Sequence, residues 1–204
     1  MRGYAGTARK LATLTIGRVA ITLLAATLLI AGQRAGAAEL YGKVVGVSDG
    51  DTITVLDSAR TPHRIRLNGI DAPEKRQPYG TRAKEQLAAL AFGKLVVVHW
   101  NKRDRYRRIV GHVRLAAPAA CATPACFHSG DVGLALIESG LAWHYKRYQN
   151  GQTAEDRTRY ARAEEAARSK RAGLWRDAHP VAPWDYRSNR RADAARTSST
   201  VQVN

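Results

Sequence analysis

Three short segments of this 204-residue chain combine residue types that can act on a phosphate group. They lie at residues 49–52, 66–74 and 104–108, and they contain aspartates, one glutamate and several arginines. Carboxylate oxygens are the hard ligands that calcium prefers, and a carboxylate beside a metal ion can orient and deprotonate water. Arginine donates two hydrogen bonds to phosphate oxygens and stays charged. This combination suits the hydrolysis of a phosphodiester.

The acidic residues of the first two segments stand at the ends of predicted strands. Pro73 holds Ala72 in an extended conformation, so the carbonyl of Ala72 and the neighbouring carboxylates project in a fixed arrangement. With this carbonyl and water, Asp51 and Asp71 could form a calcium site. Two simpler interpretations stay open: residues 49–51 as a plain hairpin turn, and surface pairing of Asp71 and Glu74 with the lysine and arginine that follow.

Arg66 and Arg108 are the arginines best placed to work with these carboxylates. Arg66 lies in a predicted strand between Ile65 and Leu67. If those two apolar side chains face the core, Arg66 and Arg64 face outward on the side of the acidic cleft. Arg108 closes a turn that is crowded with cations. The simpler interpretations are a solvated strand arginine and a charged loop.

The elements that must position these residues are mainly β-strands. Apolar residues alternate from residue 40 to residue 67 and are interrupted by two turn sequences, which predicts three strands. Further strands are predicted at residues 95–100 and 109–115, and helices at residues 81–92, 131–139 and 153–172. Thr153 is the expected N-cap of the last helix and Gly173 its end. We therefore expect an α+β, mainly β fold, a five-stranded oligonucleotide-binding (OB) barrel with about three packed α-helices, in residues 39–180.

The two ends of the chain differ from this domain. Residues 1–38 combine a basic start, an apolar run and a small-residue cleavage pattern, which predicts a secretory signal peptide, with an uncleaved membrane anchor as the alternative. Apolar residues nearly vanish from residue 186 onward, so residues 186–204 are predicted to be a disordered basic tail. In an oxidising compartment, Cys121 and Cys126 would form a local disulfide, with free thiols as the alternative.

The net charge points to a polyanionic partner. The chain carries 33 lysines and arginines against 17 acidic residues, a formal charge of +16. Five of the positive charges lie in residues 1–38, so the remainder is still at +11 (16 − 5). Nucleic acid, anionic lipid and acidic polysaccharide are the candidate partners. The six histidines show no spacing typical of a metal site.

Taken in order, the three segments resemble the signatures of the thermonuclease (staphylococcal nuclease-like, micrococcal nuclease) family, whose members are built on an OB barrel. The similarity runs from about Tyr41 to Trp175 and includes residues 140–143 and 173–175. It implies a Ca²⁺-dependent nuclease that cleaves DNA and RNA and leaves 3′-phosphate ends. The resemblance implies that Asp51, Asp71 and the carbonyl of Ala72 are metal ligands and that Glu74 is the general base or orients the water. It also implies that Arg66 and Arg108 are the catalytic arginines.

Two positions depart from the family pattern. Arg107 stands where the turn before the second arginine commonly holds glycine, and a bulky residue there could shift Arg108 or share its work. Ala72 replaces a threonine, which matters little if only the carbonyl binds metal.

Aromatic and cationic residues alternate after residue 142, a composition typical of surfaces that stack bases and hold phosphates. We expect Tyr145 and Tyr148 to line the substrate groove, and Arg105 and Tyr106 to contact phosphates. The alternative is core packing of Trp143 beside an exposed basic turn.

The sequence thus predicts a secreted or periplasmic monomeric nuclease without an obligate protein partner, which meets a membrane only if residues 1–38 stay attached. Two other functions remain open: an OB-fold module that binds nucleic acid without cutting it, and a cationic envelope-binding protein. The second would explain the charge and the export, but not the carboxylates.

Overall fold

The structure, a computed structural model, describes residues 38–116 and 130–201, without the side chains of residues 198–201. Almost all of the predicted signal segment, residues 1–38, lies outside the described residues. The same holds for Cys121 and Cys126. The signal peptide and the disulfide therefore stay predictions.

Five strands form the closed barrel that the sequence predicts: β1 (Ala38–Val47), β2 (Thr52–Leu56), β3 (Pro62–Leu67), β5 (Leu95–Arg103) and β6 (Ile109–Leu115). Their order around the barrel is β1-β2-β3-β6-β5. Neighbours pair antiparallel except β3 and β6, which run parallel and close the barrel. Two short strands, β4 (Ile70–Asp71) and β7 (Trp143–His144), form a separate antiparallel pair beside it.

Alternation along each strand fills the barrel interior with apolar side chains. One residue in two points inward, because successive side chains of a strand point to opposite faces. The inward set is fully buried and includes Val44, Ile53, Val55, Ile65, Leu67, Val96, Val98, Ile109 and Val113. Burial of such a side chain contributes roughly 1.5–3 kcal/mol. The polar residues between them are left on the outer face and at the strand ends.

The described residues include four α-helices, α1 (Gly80–Ala91), α2 (Val132–Glu138), α3 (Ala154–Ser169) and α4 (Pro183–Val201), and two 3-10 helices, Lys146–Gly151 and Gly173–Arg176. Thr153 is the N-cap of α3, as predicted, because its side chain accepts a hydrogen bond from the amide of Asp156. Asp131 caps α2 in the same way through the amide of Leu134. Helix α3 ends at Ser169 rather than at residue 172, and Arg171 then takes a left-handed conformation with a φ of 51°.

Helix α4 corrects the prediction of a disordered tail over residues 186–201, whereas residues 202–204 lie outside the described residues. Pro183 begins the helix and Asp185 lies in its first turn, both of which favour a helix N-terminus. Just before the helix, Ala182 is buried, and Trp184 packs on the aromatic residues of the domain. Composition alone missed this helix because its apolar anchors lie before residue 186. Among the described residues, no helix is both long and apolar enough to cross a membrane.

The strand register places three of the predicted site residues side by side. In the β2–β3 pair, Thr52 lies opposite Arg66. In the β3–β6 pair, Ile65 lies opposite Ile109. The residues that precede β2 and β6 are Asp51 and Arg108, so both lie with Arg66 at one end of three adjacent strands.

Candidate active site

Arg66 is the centre of an acidic cluster at this end of the barrel. Its Nη2 lies 2.8 Å from Oδ1 of Asp71 and 3.1 Å from Oδ2 of Asp51. Its Nη1 donates to the carbonyl oxygens of Leu67 and Ile70, at 2.8 and 2.9 Å. The guanidinium is thus held on both sides, and it brings the two carboxylates to one point.

Asp51 ties the β1–β2 turn to the loop after β4. Its Oδ2 accepts a hydrogen bond from the amide of Ala72 at 3.2 Å, and its Oδ1 accepts one from the hydroxyl of Thr52 at 3.0 Å. The turn comes this close because residue 50 is glycine: a Cβ there would lie 2.7 Å from the Cβ atoms of both Ala72 and Ala83. Burial and the charge of Asp51 raise the pKa of Asp49 to about 6. The turn is therefore a built part of the cluster.

Asp71 and Glu74 meet a cation that the sequence analysis did not identify. Arg187 of α4 places Nη2 at 2.8 Å from Oδ2 of Asp71, and its Nη1 lies 2.7 Å from Oε1 of Glu74. Asp71 is 1% exposed, and burial raises its pKa although Arg187 and Arg66 oppose the rise. Burial alone would lower the pKa of Arg187, but hydrogen bonds to both carboxylates raise it above its usual value.

Arg108 lies at the edge of the cluster, and its guanidinium is oriented by Asp104 of the same turn. Its Nε donates to Oδ2 of Asp104 at 2.8 Å, and its Nη1 donates to Thr52 at 3.2 Å. Tyr106 lies beside it, with the guanidinium carbon 5.5 Å from the ring centroid. The guanidinium carbon of Arg105 lies 5.3 Å from the centroid of the same ring, and Arg105 and Tyr106 are both exposed. Two cations and one ring thus form an exposed surface next to the carboxylates.

Arg107 occupies the position that commonly carries glycine in the family, and the backbone conformation at this position explains why glycine is favoured. Its φ is 63°, in the left-handed region that favours glycine. The turn nevertheless closes, since the amide of Arg107 donates to the carbonyl of Asp104 at 2.9 Å. Arg108 is held by Asp104 and Thr52, so the bulk of Arg107 does not displace it.

Replacement of Arg107 by glycine should therefore stabilise the protein by about 0.5–1 kcal/mol. This is the free-energy cost of a left-handed arginine minus the entropy that glycine loses on folding. Urea unfolding measures the change. The matched control is Arg105→Gly, which removes the same charge from a position without a positive φ and should give no gain. Equal stabilisation by both variants would show that relief of charge, and not backbone conformation, is responsible.

Tyr145 and Tyr148 lie together, with ring centroids 4.8 Å apart. Trp184 of α4 stacks on Tyr145 at 5.0 Å with an interplanar angle of 2°. Burial raises the pKa of Tyr145, and the charge of Asp71 adds to the rise, which places this ring near the cluster. Trp143 is 9% exposed and packs edge-on against Trp175 and Trp184. Trp143 is thus a core residue, whereas the two tyrosines reach the surface.

The donor set suits a hard divalent cation. The cluster formed by Asp49, Asp51, Asp71, Glu74, Arg66 and Arg187 contains four carboxylates and two guanidinium groups, so its formal charge is −2 (2 − 4). Asp51 and Asp71 contact the same nitrogen of Arg66, so their oxygens lie within reach of a single ion. Oxygen ligands of this kind favour calcium or magnesium over softer metals.

A second group of potential ligands lies elsewhere, where His112, Asp131 and Asp156 have ligand atoms within 4.8 Å of one another. These atoms already have partners: His112 and Tyr160 each lie within 3 Å of the Asp131 carboxylate, at 2.8 and 2.9 Å. Asp156 pairs with Arg159 at 3.2 Å. We infer that this network has a structural role, because it connects α2 and α3 to strand β6 of the barrel. His112 is therefore a half-buried strand residue with a structural partner.

All four acidic residues of the cluster stand in segments that the sequence analysis singled out. It gave no role to Asp49, however, and it did not identify Arg187. Asp49 was noted within the turn without a role, although its carboxylate faces Asp51. Arg187 was placed in the predicted tail. The signal that could have found it is the sequence from Pro183 to Asp185, which has the proline and the acidic residue typical of a helix start.

Comparison with known proteins identifies relatives of this chain. The sequence model of the family described as Staphylococcal nuclease homologue matches residues 64–177. The chain is 43% identical over 158 residues to Protein ParB of Escherichia coli, an alignment that covers 76% of this chain and 85% of that protein. It is 41% identical over 150 residues to an uncharacterized endonuclease of Escherichia coli, with 74% and 86% covered. Micrococcal nuclease of Shigella flexneri is 37% identical over 155 residues, with 74% and 82% covered.

Proposed function

Because this chain belongs to the staphylococcal nuclease family, and is therefore a hydrolase that cleaves nucleic acid, we propose that it works with Ca²⁺ on both DNA and RNA. The observation that carries the metal proposal is the contact of Asp51 and Asp71 with one nitrogen of Arg66, inside a cluster with excess negative charge. Ca²⁺ bound there would neutralise the phosphate and lower the pKa of a water molecule.

The residues of the chain then divide the remaining work. Asp51, Asp71 and the carbonyl of Ala72 hold the ion. Glu74 accepts a proton from the attacking water or orients that water. Arg66 and Arg108 donate to the phosphate oxygens, where negative charge accumulates in the transition state.

Substrate outside the cleaved phosphate is held by the exposed surfaces on either side. Arg105 and Tyr106 contact backbone phosphates, and Tyr145 and Tyr148 stack against bases. Stacking is indifferent to the sugar, which supports activity on DNA and RNA alike. The products carry 3′-phosphate ends, as the resemblance implies.

The protein acts outside the cytoplasm as a monomer, in the periplasm or after secretion. This part of the proposal is supported by the basic and apolar pattern of residues 1–38. It needs no obligate protein partner, because all the proposed site residues belong to one chain. Contact with a membrane would depend on retention of residues 1–38.

Calcium titration followed by calorimetry tests the metal site. We expect Asp71→Asn to weaken calcium binding by more than about tenfold, because one charged ligand of a buried site is lost. Asp177→Asn, which removes the same charge from an exposed position, should leave calcium binding unchanged. Cleavage of DNA and RNA should require Ca²⁺ and should yield ends that accept label only after removal of a 3′-phosphate. Full activity with Mg²⁺ alone, or 3′-hydroxyl ends, would contradict the proposal.

A further inference from the structure

Helix α4 brings a second guanidinium group, that of Arg187, into the cluster beside that of Arg66. Arg187 contacts Asp71 through both of its terminal nitrogens, at 2.8 and 3.3 Å, and it contacts Glu74 at 2.7 Å. One planar group therefore bridges a proposed metal ligand and the proposed base. Such a fork fixes orientation as well as charge, because its donors point in set directions.

The segment that carries Arg187 is anchored independently of these ion pairs. We call residues 181–187 the C-terminal strap. Gln77, 7% exposed, donates to the carbonyl of Val181 at 2.6 Å. Trp184 stacks on Tyr145, and the hydroxyl of Tyr186 donates to the carbonyl of Arg76 at 3.3 Å. The strap would therefore stay in place if the guanidinium alone were removed.

Apart from Arg187, few groups in the described residues contact the carboxylate of Glu74. Its backbone is fixed by Gln77, which accepts from the amide of Glu74 at 3.1 Å and donates to its carbonyl at 2.8 Å. Its side chain, however, is 40% exposed. In the described part of the chain, Arg187 is the one cation paired with that carboxylate. The backbone therefore brings Glu74 to the site, and Arg187 orients its acid group.

We propose that Arg187 is a positioning residue of the nuclease, which holds the carboxylate of Glu74 beside Asp71 and makes the C-terminal strap a part of the active site. The inference rests on the role proposed above for Glu74. Arg187 acts through that residue and does not need to touch the substrate.

The effect on turnover is measured first. Arg187→Ala should lower kcat by roughly 10²-fold with KM nearly unchanged, because displacement of a reacting group by about 1 Å costs that much. Arg187→Lys keeps the charge but not the fork, so it should recover only part of the loss. Arg190→Ala is the matched control, since it removes an exposed arginine one turn further along α4 and should leave kcat unchanged.

A double-mutant cycle separates positioning from mere stabilisation. In the Glu74→Gln background, Arg187→Ala should reduce kcat by less than about threefold, because the residue through which it acts is already inactive. A full further loss in that background would show that Arg187 acts elsewhere, on the substrate or on the fold, and would overturn the proposal. Thermal unfolding of each variant identifies any loss that comes from a lower folded fraction.

Calcium binding supplies a readout that is independent of activity. Arg187→Ala should bind calcium more tightly, by roughly tenfold, because a cation next to Asp71 is removed. Arg187→Lys should bind it as the unchanged protein does. Weaker binding in Arg187→Ala would mean that the guanidinium supports the metal ligands and not Glu74, against the proposal.

The cycle also distinguishes failure of this inference from failure of the proposed function. If Glu74→Gln is fully active, the role of Glu74 is wrong and the inference falls with it. If Glu74→Gln is inactive while Arg187→Ala keeps its kcat, the role of Glu74 stands and the positioning role of Arg187 alone is refuted.

Discussion

Replacement of Glu74 by glutamine should lower kcat for DNA cleavage by roughly 10²–10⁴-fold, the range that a general base contributes. Glutamine keeps the shape of the side chain and one oxygen that can still accept a hydrogen bond from Arg187. It cannot accept a proton from water at neutral pH. The loss should therefore fall on kcat, with little change in KM or in the melting temperature.

Glu85→Gln is the control for this variant. Glu85 is exposed on α1, so its replacement changes the net charge equally without touching the cluster. Rates are measured in single turnover with saturating protein, so that product release does not mask the chemical step. A kcat for Glu74→Gln within about threefold of the unchanged protein would rule out Glu74 as the group that activates water.

Replacement of Arg66 has the second large effect, and it separates catalysis from stability. Arg66→Lys should lower kcat/KM by roughly 10²–10³-fold, the cost of losing one donor to the transition state. A lysine has a single nitrogen, so it cannot reach two carboxylates and two carbonyl oxygens as the guanidinium does. Charge is kept in this variant, so the loss reports the geometry of the fork.

Arg66→Ala adds a stability effect that calcium should reverse. It leaves two buried carboxylates without their shared cation, which costs about 3–5 kcal/mol when calcium is chelated. Added Ca²⁺ should restore much of the melting temperature but none of the activity, because the ion replaces the charge and not the phosphate donors. Arg64→Ala, an exposed arginine on the same strand, should change neither quantity. Equal melting temperatures for Arg66→Ala with and without calcium would contradict this account.

Local signals in the sequence were enough to predict most residues of the cluster around Arg66. Alternation around Ile65 and Leu67 predicts that Arg66 faces away from the core, and Arg66 indeed lies on the side of the acidic turns. Thr153 was predicted to be an N-cap because its hydroxyl oxygen can accept a hydrogen bond from a free backbone amide in the first turn of the helix. Such features depend on a few neighbouring residues, so a single sequence contains them.

The parts that the sequence did not reveal depend on contacts between distant segments. The parallel pairing of β3 with β6 joins strands separated by β4, α1 and β5, and no local sequence pattern indicates which strands pair. Arg187 lies 116 residues from Asp71 along the chain. Its helix has little apolar surface beyond Trp184, so composition indicated disorder. The matched family region, residues 64–177, ends before this helix as well.

The anchoring of Arg187 on a segment outside the barrel has a consequence for limited proteolysis. A protease that clips the exposed second half of α4 leaves the anchored strap intact, whereas a cut ahead of Pro183 removes the hold on Glu74. We expect cleavage at that point to lower kcat while the barrel, whose strands all lie before residue 116, stays folded.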